Sequence, residues 1–441
     1  MNKEAWIQCA LDKGMESFEI YESLNSSKEL TWFDNKMDTF VSSSILGTSI
    51  RGIVDGNVAN MALEHVDDSQ MESVIDSLME QAKTITTKEK DTLRKPETIE
   101  TVEYKRVWIH PSMQQVQEVM KTIEKKAMAY DSRIQQVAYL GWEESKGYRQ
   151  ITNSYGIDVM DEDEIQYLAM SVVAQDGDDI KDKTNIELVY DLSVFDIDGF
   201  VEKVCKEAIL KLNASSLPSQ TCPVIFEKKA MTSLFGAFTG LFSGDLIYKG
   251  ISCLKGKENT QIFSDLITIV DNPRNTEALS VATFDDEGCP TYEKKLVDKG
   301  IFRLALQSTK SAIRNHCQST GNGFKSGYAS SVSVQPLNCN IEPGSHSLEE
   351  LMMAMKDGLV ITDLAGLHAG IDFVSTNFSL QCSGYLVKNG KRDKSVTLIT
   401  VAGNFLNLMK DVNLVGNDLE WKYHTIVCPS IYFNKCAISG E

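Results

Sequence analysis

Apolar residues recur every three or four positions in some stretches of this chain and every second position in others, which predicts a mixture of helices and strands. Trp6, Ala10 and Leu11 share one side of a short helix that Gly14 can end. Strands follow to about residue 63, with Asp55 and Gly56 as the clearest hairpin turn. From Ser69 to Ala82 the stripe Met71, Val74, Ile75, Leu78 predicts a longer helix, opened by a capping box of Ser69 and Glu72. The charged stretch from Lys88 to Glu103 has no period and reads as a surface loop. Ser112 and Gln115 then open a helix striped by Val116, Val119, Met120, Ile123 and Ala127. Residues 133–190 read as strands, with turn chemistry at Gly147, at Asn153 to Gly156 and at Asp176 to Asp179. A further helix carries Phe200, Val201, Val204, Ala208 and Leu212.

Small and polar residues from Asn213 to Pro223 mark a change of composition. They divide an N-terminal helix-and-strand domain, residues 1–215, from a strand-rich C-terminal domain, residues 220–441. In the latter, Leu279 to Phe284, Lys295 to Leu306, Ser331 to Val334, Gly384 to Val387 and Val396 to Ala402 read as strands. Ser347 to Lys356 and Phe405 to Val412 read as helices. Ala230 to Leu241 is apolar on nearly every side, so its helix is expected to be buried all round. Without regular strand–helix–strand alternation, the fold class is α+β in two domains.

Charge and cysteine usage narrow the function. With 441 residues, 42% of them apolar, the chain can bury a large interior. Asp and Glu number 62 against 44 Lys and Arg, a formal charge of −18 that repels phosphate backbones and argues against direct nucleic-acid binding. The ten cysteines are scattered without a Cys-x-x-Cys pair, which fits free thiols in a reducing cytoplasm. No signal-peptide pattern opens the chain, and the uncharged run from Met231 to Gly244 is too short to span a bilayer, so no membrane role is expected.

An ordered set of motifs then points to a family. Arg51 and Gly52 with Asp55 and Gly56, and Asn153, Ser154 and Gly156, begin it. Phe284, Asp285, Asp286, Glu287, Gly288 and Pro290 precede Leu296, Val297, Lys299 and Gly300, then Ser319 to Gly323 as Ser-Thr-Gly-Asn-Gly. Gly358, Thr362, Asp363, His368 and Gly370, then Asn377 to Ser379, Ala402 to Asn404, and Val415 to Asp418 complete it. The set resembles the TldD/PmbA family over most of the chain. That resemblance implies a two-domain α+β fold and a dimer. It also implies a division between TldD subunits, whose His-Glu-x-x-x-His and distal Cys bind zinc, and TldE (PmbA) subunits, which lack that motif. The family activity it implies is proteolysis of peptides or unfolded proteins.

Matching Gly244 and Asp245 to the Gly-Asp downstream of the zinc helix puts the motif window on Phe235, Gly236, Ala237, Phe238, Thr239 and Gly240. Matching from Gly416 to Asp418 puts the distal cysteine on Cys428. Phe and Gly offer no lone pair to a metal and no carboxylate to take a proton, and a lone thiol without partner histidines has no strong reason to hold one, so Phe235, Gly236 and Gly240 are vestigial positions and Cys428 is a vestige or a structural thiol. No cofactor is expected in this chain, and zinc is expected in a TldD-like partner. The chain is then read as a TldE-like subunit without catalytic residues of its own, acting with that partner on peptides. The alternative is a homodimeric regulator that binds peptides or proteins, of the gyrase-modulator kind, with no proteolytic activity.

Other candidate chemistry competes with plainer structural roles. His424 and Cys428 would lie about 13 Å apart on one face of an extended strand, so direct contact would need a bend. A buried, inert thiol is favoured over a nucleophile. Asp285 and Asp286, with Glu287, could hold a divalent cation, but beside Gly288 and Pro290 a solvated turn is favoured. Asn322, in the Ser319 to Gly323 loop, could present backbone N–H groups to a ligand, though a tight structural loop is favoured. His368 is a cleft candidate in a glycine-rich loop, and His368, His424 and Cys428 would be the dispersed ligands of a chain that cleaved peptides alone.

Overall fold

The computed structural model describes residues 1–85, 90–104 and 106–441. Helix α1 (Lys3–Asp12) begins where Asn2 accepts the Ala5 N–H at 3.2 Å and ends before Gly14, whose φ of +98° only glycine adopts without strain. Strands β1 (Ser17–Phe33), β2 (Lys36–Val54) and β3 (Asn57–Leu63) follow, then helices α2 (Met71–Thr84) and α3 (Met113–Tyr130). Strands β4 (Ile134–Asn153), β5 (Asp158–Asp176) and β6 (Asp179–Leu188) and helix α4 (Ile197–Ile209) complete the first half. The six strands form one antiparallel sheet in the order β3-β2-β1-β4-β5-β6. Trp6 of α1 and Leu78 of α2 pack with Phe18 and Ile50 at one end, while Val116 of α3 and Phe200 of α4 pack with Trp142 and Met170 at the other.

Two local expectations for this half need correction. The capping box of Ser69 and Glu72 does not form, because the Ser69 hydroxyl donates to Asp67 at 2.7 Å and a 3-10 turn, Asp68–Gln70, precedes α2. Gly147 is no turn residue either. It lies within β4 opposite Asn25 and Asp163, and a Cβ there would sit 2.3 Å from the Leu24 carbonyl, so it permits close strand approach.

The second half opens with β7 (Gln220–Phe226) and α5 (Lys228–Phe238). Strand β7 lies between Gly358–Ala365 and Ile431–Ser439, followed by Lys391–Asn404, Asn377–Lys388 and Ile371–Asp372, and Val412–Val415 pairs with Ile431–Ser439. Pairing of Gly358–Ala365 with Asn377–Lys388 closes a ring of strands. A five-stranded sheet runs Ile301–Phe302, Lys294–Asp298, Ile269–Asp271, Cys339–Ile341, Ile426–Val427. Helix α5 packs Ala230, Met231, Leu234, Phe235 and Phe238 into the core that both sheets share, but Thr232, Ser233, Gly236 and Ala237 are only half-buried, so it is not buried all round as expected.

Leu279 to Phe284 is irregular, not a strand. Its carbonyls are drawn elsewhere, Leu279 accepting from the Arg106 guanidinium, and only Phe284 bridges to Pro290. The expected strand from Lys295 to Leu306 is a hairpin turning at Lys299 and Gly300, and Leu348–Met355 and Phe405–Lys410 are the helices near 347 and 405. Of the expected surface loop, residues 88 and 89 lie outside the described residues. The remainder has no helix or strand but is clamped: Leu93 is 3% exposed, Asp91 N–H donates to the Gly56 carbonyl and Lys310 reaches Asp91 at 2.9 Å.

Candidate functional site

Helix α5 starts at Lys228 without a side-chain cap and turns its apolar residues into the core. Leu234, Phe235, Phe238 and Leu241 are fully buried, and the Phe238 ring stacks on Phe405 with centroids 4.4 Å apart. The helix ends at Phe238, short of the expected Leu241, and a 3-10 turn, Thr239–Phe242, places Gly240 beyond it. A Cβ on Gly240 would lie 3.1 Å from the Phe373 ring. A Cβ on Gly236 would meet nothing within 4 Å.

Cys428 does come to this helix. Its backbone N–H donates to the Thr232 hydroxyl at 2.9 Å, and burial pushes its thiol far above the ordinary cysteine range, against a hydrogen bond with Thr232. The donor set around it does not suit zinc: Phe235 has no lone pair, Gly236 has no side chain, and Gly240 faces a phenyl ring. Among the described residues, no three His, Cys, Asp or Glu side chains are grouped to hold a metal. A helix-interior glycine with open space around it predicts that Gly236→Ala raises stability by about 0.5–1 kcal/mol, read as a higher urea midpoint.

His424 is not on an extended run to Cys428. Its N–H donates to the Trp421 carbonyl in a turn, and only Ile426–Val427 is strand. Both residues line an open cavity of about 790 Å³, where burial and Lys422 lower the His424 pKa. His368 is exposed on a turn and lines neither this cavity nor the one of about 650 Å³ that holds Gly240.

The acidic run is not a solvated turn. Asp285, Asp286 and Glu287 are 0%, 5% and 3% exposed, because the first sheet covers them and answers their charge. Arg149 of β4 reaches Asp286 at 2.6 Å, and Tyr21 of β1 donates to the same carboxylate at 3.3 Å. Arg51 of β2 holds Glu19 through two hydrogen bonds, 2.7 and 3.2 Å, and stands 3.5 Å from Glu287. Asp285 accepts three backbone N–H groups, from Glu287, Cys289 and Gly323, at 2.8–3.0 Å. Burial and the Glu287 carboxylate nevertheless push Asp285 up to about 7.

The Ser319 to Gly323 loop gives its Gly323 N–H to that internal carboxylate. Asn322, fully buried, accepts from Lys294 at 2.9 Å and donates to Asp271 at 2.9 Å. Lys325, over the Tyr21 ring, is lowered to about 8 by burial and by Arg51. Glu287 and Arg51 reach the cavity that Gly240 lines. Sequence reasoning missed Glu19, Tyr21 and Arg149 as members of this cluster, and placed Arg51 only in a hairpin motif. No spacing links them, since their contact depends on how the two halves pack.

Comparison with known proteins agrees with the motif set. Sequence models for domain 1, the central domain and the C-terminal domain of the PmbA/TldA metallopeptidases match residues 18–82, 107–212 and 219–440. The metalloprotease PmbA homolog of Buchnera aphidicola subsp. Baizongia pistaciae is 28% identical over 73% of this chain and 70% of its own length. Metalloprotease PmbA of Escherichia coli O157:H7 is 26% identical over 74% and 69%. Among solved structures, TldE from Thermococcus kodakarensis shares the fold with a TM-score of 0.88 at 24% identity, covering 99% of this chain and 100% of that one. A Thermotoga maritima protein described as a candidate modulator of a DNA gyrase gives 0.86 at 25% identity, over 99% of both chains. The chain therefore belongs to the PmbA/TldD metallopeptidase family.

Proposed function

We propose that this chain is a TldE-like, non-catalytic subunit that works with a zinc-bearing TldD-like chain on peptides or unfolded proteins. The single observation that carries the reading is the packing of Phe235 into the core, with Gly236 and Gly240 beside it, where the family's metal ligands and base would stand. When bound in the partner, zinc supplies an activated water and polarises the scissile carbonyl. This chain's own part is structural. Its phenyl-filled helix keeps water out of the core, and the Arg51, Glu19, Glu287, Arg149 and Asp286 cluster locks the first sheet against the second half. The fold shared with TldE of Thermococcus kodakarensis supports the assignment.

Mixing tests it. The purified chain alone is expected to leave an unfolded peptide intact. With a TldD-like chain carrying His-Glu-x-x-x-His, chelator-sensitive cleavage should exceed that of the partner alone by at least about tenfold, or about 1.4 kcal/mol of barrier. A mixture no faster than the partner by itself would defeat the proposal.

A further inference from the structure

The open cavity of about 790 Å³ that His424 and Cys428 line is a basic patch in an acidic chain. Among the described residues that line it, eight are Lys or Arg and five are Asp or Glu, against a formal charge of −18 for the whole chain. Four of the lysines are answered. Lys183 pairs with Glu207, Lys228 with Glu420 and Lys229 with Asp363, each at 2.5 Å, and Lys422 reaches Glu187 at 2.8 Å. Among the described residues no ion pair holds Lys203 or Lys211. Lys203 meets the Lys422 ammonium instead, and Lys211 donates to the Asp182 carbonyl at 3.1 Å. Burial and then Lys422 lower the Lys203 pKa, and burial with Lys183 and Lys229 lowers that of Lys211, so an anion beside them relieves both.

One wall of the cavity is the edge of a strand. Seven consecutive residues of β6, Ile180 to Ile186, line it. Alternate side chains of a strand point to opposite faces, so an unbroken run means that β6 presents its edge to the cavity. It is the last strand of its sheet and pairs only with β5 among the described residues. Lysine on an edge strand is by itself an ordinary guard against pairing, and Lys181 and Lys183 fill that role. The unanswered charge is elsewhere, at Lys203 on α4 and Lys211 in the turn after it, which line the same cavity.

We infer that this cavity takes an acidic peptide segment in extended form, laid along the open edge of β6 with its carboxylates at Lys203 and Lys211. Main-chain hydrogen bonds to the strand supply affinity without regard to sequence, and the two ammoniums select for Asp and Glu. A peptide fits better than a compact oligophosphate. The five carboxylates of the lining repel charge concentrated at one point, whereas charge spread along a chain can fall on the lysines alone. Over the rest of the surface the negative charge of the protein repels an acidic segment, which confines it to this cavity. The inference rests on the proposed function in taking peptides as the substrate, and it names the class that this subunit admits.

Fluorescence anisotropy of the purified full chain with a labelled, end-blocked peptide of alternating Glu and Thr tests it, since alternation puts every carboxylate on one side of an extended segment. The expected result is saturable binding, weakened at least about tenfold when Gln replaces Glu in the peptide, and at least about tenfold in the double variant Lys203→Gln, Lys211→Gln. That variant is expected to keep the parent's thermal unfolding midpoint, because neither lysine holds an ion pair. The peptide comparison is made on the parent chain and stands whatever the variant's fold. Lys121→Gln with Lys125→Gln, the same loss of charge on the exposed side of α3, is expected to leave the affinity unchanged. No binding, undiminished binding of the Gln peptide or by the double variant, or an equal loss in the α3 control would each overturn the inference. So would a cavity that inorganic triphosphate fills and the peptide does not. None of these outcomes involves cleavage, so the mixing assay succeeds or fails separately.

Discussion

Replacing Arg51 with methionine is expected to cost the fold about 3–5 kcal/mol, the scale seen when one partner of a buried ion pair is removed. The expectation rests on what the guanidinium leaves behind. Glu19 and Glu287, both 3% exposed, would be left without the guanidinium, and among the described residues no other cation forms an ion pair with Glu19. Burial already outweighs Arg51 and holds Glu19 above the ordinary glutamate range. A carboxylate whose pKa is raised on folding gives its stability below the unfolded value and loses it as pH rises through the folded one. Removing Arg51 raises Glu19 further, so the deficit of the variant should be larger at pH 8 than at pH 5. Urea unfolding at the two pH values checks both the size and the sign. A loss under about 1 kcal/mol, typical of exposed pairs, would mean that the cluster does not join the two halves.

Phe235→Ala is expected to cost about 3–5 kcal/mol, as for other fully buried phenylalanines. Phe235 is 0% exposed in the cluster that also holds Phe226, Phe238, Phe263 and Phe405, and alanine there would leave a cavity those rings cannot all collapse into. The neighbouring Gly236→Ala should move stability the other way, by much less. This asymmetry separates a packing helix from a degenerate active site, where both positions would tolerate change. Urea midpoints of the two variants decide it. A nearly neutral Phe235→Ala would remove the reason for calling position 235 part of the core.

The helices were legible because their stripes face one side: Ile75 and Leu78 of α2, and Val116, Met120 and Ile123 of α3, are all buried. Strands Gly358–Ala365 and Ile431–Ser439 were not. Leu359, Val360 and Ile361 are all buried, as are Ile431, Tyr432 and Phe433, so a strand covered on both faces shows no alternation to read. Gly147 misled because a glycine that lets strands approach looks like one that turns them. At the site, substitutions at Phe235, Gly236 and Gly240 were readable as residue chemistry. The burial of Asp285, Asp286 and Glu287 was not, since it depends on Arg51 and Arg149, which reach them from another sheet.

The central claim is that this chain holds no peptidase metal of its own. Its most direct test is zinc content after the purified protein has been dialysed against micromolar zinc and passed through a desalting column. The expected result is a trace far below one ion per chain, the same for the parent and for Cys428→Ser. One zinc per chain, lost on Cys428→Ser, would contradict the account.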